Sequence, residues 1–159
     1  MWTCTLFSVG TCTRYIIWVS LHRAKPDNQP KYSSKEESYF KELEKRNNWK
    51  NPDRYIYNIN EKGEPLPNDS VFFYQNYAYS FGVDIEDSTT FFSLPANTED
   101  TIALYLYNHV VDRTPQLRRI EIIFNYEEDL NERASIGHSR TEEYAVRGKR
   151  LVKLKHDME

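Results

Sequence analysis

With 159 residues, a formal net charge of −3 and only 5 glycines, the chain reads as one domain, residues 1–159, long enough to bury a substantial core. The scarcity of glycine argues against repeat solenoids, collagen-like segments and glycine-rich phosphate loops, and the mild acidity gives no pull toward nucleic acid or an anionic membrane. Aromatic residues make up 14% of the chain, with 12 tyrosines, which argues against disorder for its bulk.

The chain opens with Thr3-Cys4-Thr5 and Thr11-Cys12-Thr13, followed by the apolar run Tyr15–Val19. A secretory signal wants a basic start and a continuous apolar stretch. Here no Lys or Arg precedes Arg14, and Thr and Ser interrupt the apolar residues. A spanning helix needs about 20 mainly apolar residues, so no membrane span is expected. Trp2, Cys4 and Leu6 alternate with Thr3, Thr5 and Phe7, Ser8-Val9-Gly10 suggests a turn, and Thr11, Thr13 and Tyr15 alternate with Cys12, Arg14 and Ile16. Two paired strands account for this pattern. Cys4 and Cys12 would then lie close together, as buried free thiols ahead of a disulfide. The compartment stays open, with the cytoplasm ahead of export.

Pro26 and Pro30 mark residues 23–34 as a loop. Ser33 or Ser34 followed by Glu36 or Glu37 forms a capping-box pattern and predicts an amphipathic surface helix over 34–47, with Tyr39, Phe40 and Leu43 on its apolar face. Strands follow. Residues 54–60 alternate through Tyr55, Tyr57 and Ile59, and 61–70 is turn-rich. Residues 71–83 read as a long aromatic strand whose core face holds Val71, Phe73, Tyr77, Tyr79 and Phe81. Residues 89–94 are a further strand candidate. Residues 101–111 fit both periods, and the exposed turn before them favours a strand. The clearest strand is 117–126, with Ile120, Ile122, Phe124 and Tyr126 on one side. A polar loop over 127–141 and a closing hairpin turning at Arg147-Gly148-Lys149 complete the chain. This pattern predicts a mainly β fold, an antiparallel β-sandwich or barrel-like sheet carrying the one surface helix. An α+β sheet layered by helices is the alternative if 99–112 is helical.

No nucleophile elbow, H-E-x-x-H, phosphate loop or paired C-x-x-C is present. The acidic runs at 84–87 and 127–129 lack calcium-loop spacing, and His22, His109, His138 and His156 show no ligand spacing with the cysteines. Neither a cofactor nor a metal is expected, and no enzymatic activity. Asn68-Asp69-Ser70 meets the N-glycosylation pattern on a predicted loop. Basic residues gather between Arg140 and Lys155, opposite in sign to the acidic runs.

By elimination, the sequence suggests a non-enzymatic protein-binding module, a small complex subunit or inhibitor-type partner of another protein. Nucleic acid is not the expected partner. Tyr and Arg are favoured interface anchors, which points to Tyr74, Tyr105, Tyr107, Arg118 and Arg119. The alternative is an extracytoplasmic carbohydrate-binding domain, which would require export and a line of exposed aromatic rings.

Overall fold

A computed structural model of the chain describes residues 28–67, 71–131 and 134–154. The predicted N-terminal strand pair, both cysteines and the Asn68–Ser70 triplet lie outside these residues. In chain order the elements are α1 (Ser34–Asn47), β1 (Lys50–Asn58), β2 (Tyr77–Asp84), α2 (Ser88–Ser93), α3 (Thr98–Tyr105), β3 (Leu117–Asn131), β4 (Ala134–Arg147) and β5 (Arg150–Lys153). The final turn of α3, Leu106–Val110, widens to a π-helical turn, closed by the Val111 amide donating to the Leu106 carbonyl over 2.8 Å.

The strands form one five-stranded sheet in sequence order, β1 to β5. β2 and β3 run parallel and every other neighbouring pair is antiparallel. The fold is thus a sheet-dominant α+β arrangement with an open, mixed sheet. Among the described residues the sheet neither closes into a barrel nor meets a second sheet.

Helix α1 begins where the capping box predicts. The Glu36 amide donates to Ser33 Oγ over 3.2 Å, and the Ser33 amide donates to Glu36 Oε2 over 2.6 Å. The helix stops at Asn48, in the left-handed conformation that Asn tolerates, with its amide on the Glu44 carbonyl. Tyr39, Phe40 and Leu43 are its buried face, as the spacing predicts.

Alternation along the strands divides the sheet into two unlike faces. Ile56, Tyr79, Phe81, Val83, Ile120, Ile122, Phe124 and Tyr144 form one core with Phe40, Phe91, Ile102, Leu106 and Val110 from the helices. The opposite face carries a smaller cluster, Tyr57, Ile59 and Ala78 with Tyr55, which contains no helical residue.

Four predicted segments change. Residues 101–110 are helical: Ile102, Leu106, Tyr107 and Val110 are buried at helical spacing, while Leu104 and Tyr105 are exposed. The reason is topological, since two parallel neighbours cannot be joined by a hairpin and need a crossover. Residues 89–93 are also helical, in α2, opened by Asp87, whose carboxylate accepts the Thr90 amide over 2.6 Å. Residues 71–76 form an exposed loop, and β2 starts only at Tyr77. The polar stretch 127–141 is mostly strand as well, since β3 and β4 continue as a two-stranded ribbon to the pair Asn131↔Ala134.

Candidate functional site

The five residues singled out from the sequence do not share one surface. Tyr107 is buried at the end of α3, with the Arg113 guanidinium 5.2 Å above its ring, so it is a core residue and not a free anchor. Tyr105 stacks on Tyr39 at 4.6 Å between ring centres and lies 4.8 Å from His109, where a groove of about 340 Å³ runs between α1 and the end of α3.

Arg119 belongs to the sheet face opposite the helices. Its Nη1 lies 3.0 Å from Glu143 and 3.6 Å from Glu121, and the Tyr57 hydroxyl donates to Glu121. Burial pushes the Glu121 carboxyl above the usual carboxylate range and Glu143 adds to the shift, while Tyr57 and Arg119 pull against it. A carboxyl poised this way beside a phenol and a guanidinium has the makings of an acid–base group. The turn at Gly63 lies directly against the Arg119 guanidinium, however, where a Cβ would clash with Nη2. The cluster is thus packed under that turn and is no open acid–base site.

Tyr74 and Arg118 do come to the same end of the sheet. Arg118 is the extra residue of a bulge, because Tyr77 pairs with Leu117 and Ala78 already pairs with Arg119. Arg118 Nε donates to Asn76 Oδ1 over 3.0 Å at the base of the loop that carries Tyr74. In that loop Phe72, Phe73 and Tyr74 are 37%, 46% and 74% exposed, three consecutive large aromatic side chains facing solvent.

The loop is held from below by Asn58, which is buried at the end of β1. Its Oδ1 accepts the Phe72 amide at 2.8 Å, and its Nδ2 donates to the carbonyls of Phe72 (2.8 Å) and Asn76 (3.3 Å). The Gln75 amide closes the turn on the Phe72 carbonyl at 3.0 Å, and Phe73 meets Tyr77 edge-on at 5.2 Å. Sequence reasoning placed Phe73 on a core face and missed Asn58. An asparagine ending an otherwise alternating strand was the available signal, and it is a common one.

At the far end of β2 a second concave region opens, a cavity of about 550 Å³ beside Asp84, Glu86, Asn125, Tyr126, Glu127 and His138. Among the described residues no group of His, Cys, Asp and Glu side chains is arranged to hold a metal ion, and no helix is long and apolar enough to cross a membrane.

No protein-family model matches the chain, and no curated protein or solved structure matches it significantly.

Proposed function

We propose that the protein is a binding module for another protein, a small subunit or inhibitor-type partner, and that it engages through the Phe72-Phe73-Tyr74 loop flanked by Arg118. One observation carries this reading. Three adjacent aromatic side chains are left in solvent on a backbone that the buried Asn58 pins at three points. Exposed aromatic clusters of this kind are characteristic of interaction sites, and a loop ordered before binding loses less entropy when it docks. Arg118, held by Asn76, adds a charged group at the rim.

The test is site-specific photo-crosslinking in the cells that naturally produce the protein. A photoreactive phenylalanine replaces Tyr74 in one variant and the exposed α3 residue Leu104 in another. One protein adduct at position 74 is expected, absent at 104 and lost when Phe72 and Phe73 are both changed to Ala in a chain that still folds. Equal adducts at both positions, or an adduct indifferent to the double substitution, would sink the reading.

A further inference from the structure

We propose that the notch beyond the end of β2 is a second docking site, which takes an extended peptide bearing Lys or Arg as an added strand on the open edge of β3. The notch arises because neighbouring strands stop at different places. The last β2–β3 pair is Asp84↔Asn125, sealed by the Ile85 amide donating to the Asn125 carbonyl over 2.8 Å. The chain then leaves the sheet for α2, whereas β3 continues to Asn131 with, among the described residues, only β4 at its side. Main-chain groups alternate in direction along a strand. Asn125 presents its carbonyl toward β2, so Glu127 and Asp129 present theirs to the same side, where no strand stands among the described residues.

An edge of this kind is a template for strand addition, and proteins usually blunt it with lysine, proline or a bulge. Here the residues along it are Glu127, Glu128 and Asp129. They discourage acidic or self-similar strands and suit a basic one.

The cavity supplies the second part of the argument. It lies at this edge, and its volume of about 550 Å³ matches ordinary ligand pockets. Three carboxylates line it, and their closest partners are mostly uncharged. Asp84 accepts from the amides of Asn51 at 3.0 Å and Asn125 at 3.4 Å, and Glu127 accepts from the Ser135 hydroxyl. Glu86 has Lys50 Nζ at 4.0 Å. Hydrogen bonds from neutral groups order a carboxylate without cancelling its charge, so the field in the notch is negative.

The third part is aromatic. Tyr126 and His138 stack across the β3–β4 ribbon with ring centres 5.6 Å apart, and the exposed Phe92 lies 5.4 Å from His138 and 6.1 Å from Tyr126. These rings lie on the helix side of the ribbon, with Glu128 Oε2 3.5 Å from His138 Nε2, while Asp84 and Glu127 lie across the strand edge. The alternating side chains of an added strand therefore meet ring faces on one side and carboxylates on the other. The notch and the Phe72–Tyr74 loop stand at opposite ends of β2, so this site does not depend on the loop.

The experiment is fluorescence anisotropy on the full chain at low salt with three labelled decapeptides: alternating Val and Arg, alternating Val and Glu, and the Val–Arg peptide N-methylated on every residue, so that neither edge can donate. The Val–Arg peptide is expected to bind and the Val–Glu peptide not to bind. N-methylation blocks strand pairing without removing charge, and is expected to weaken binding about tenfold or more. Glu127→Lys, on the exposed ribbon and outside the core, is expected to do the same, as is Glu86→Gln together with Glu127→Gln. Equal binding of the N-methylated peptide, or binding unmoved by Glu127→Lys, would overturn the proposal. Sedimentation of the free chain is run alongside. Self-association competed away by the Val–Arg peptide would make a second copy the occupant and overturn it equally.

Discussion

Glu36 and Glu99 each lie in the first turn of a helix, are buried against the sheet and face an arginine from a strand. Burial pushes both carboxyl groups up, yet the net shifts have opposite signs. Glu36 ends below the usual carboxylate range because the Ser33 amide and the Arg54 guanidinium outweigh burial. Ser33 N donates at 2.6 Å, Arg54 Nε at 2.8 Å and the Tyr79 hydroxyl at 3.0 Å. Arg54 is itself sealed in, its Nη2 donating to the carbonyls of Pro30 and Lys31.

Glu99 ends above the usual range, with burial the largest cause and Glu142 adding to it, against Arg140. Arg140 is half-exposed and divides its donors between Glu99 and the carbonyls of Leu94 and Pro95. The two sites teach that burial does not by itself set the sign of a shift. The number of donors aimed at the ionised carboxylate, and how well its cation is shielded from water, decide it.

The largest test of this contrast removes the cations. Arg54→Ala leaves the Glu36 carboxylate buried and short of a partner, and is expected to cost about 3–5 kcal/mol in urea unfolding. Arg140→Ala is expected to cost less, about 2 kcal/mol, because Arg140 is partly exposed and stabilises the ionised Glu99 carboxylate less completely than Arg54 does Glu36. Equal costs would break the contrast.

Next comes pH. The folded pKa of Glu36 is depressed, so its contribution is complete above the unfolded value of about 4.3 and is lost as pH falls through the folded value. The deficit of Glu36→Gln relative to the parent chain is therefore expected at neutral pH and should close in acid. Glu99 and Glu121 have raised folded pKa values. What they contribute is complete below the unfolded value and is lost as pH rises through the folded one. Relative to the parent, Glu99→Gln and Glu121→Gln should gain stability from acid to neutral pH. Unfolding curves measured at pH steps across that range decide the sign at each position.

Smaller effects follow from the caps. Ser33→Ala removes the acceptor for the Glu36 amide and should cost about 1 kcal/mol. Asn97, at the start of α3, makes no side-chain capping bond, so Asn97→Ala should stay within about 0.5 kcal/mol. Thermal melts of the two variants separate these outcomes.

Much of the local structure was legible from short-range pattern. Ser33 and Glu36 announced α1, alternation announced β1 and the first half of β3, and Gly148, with φ of +61°, marked the turn between β4 and β5. These features depend on residues within a few positions of one another. Of the site, Tyr74 and Arg118 were legible as residue types suited to an interface, while Tyr107 and Arg119 have the same chemistry and went elsewhere. Their fates depend on burial and on partners such as Glu143 and Gly63, which no spacing reveals.

The sequence was thus enough for the elements whose signal is local: capping, alternation and turn residues. It left 101–111 open because Ile102, Leu104 and Leu106 satisfy one period and Ile102, Leu106 and Val110 another. The parallel pairing of β2 with β3 closes that choice, since only a crossover connects them. The same pairing creates the notch, because β2 ends while β3 goes on. Asn58 beneath the aromatic loop and Arg54 beside Glu36 likewise take on their roles through contacts 14 and 18 residues away, and long-range contact is what folding adds to a sequence.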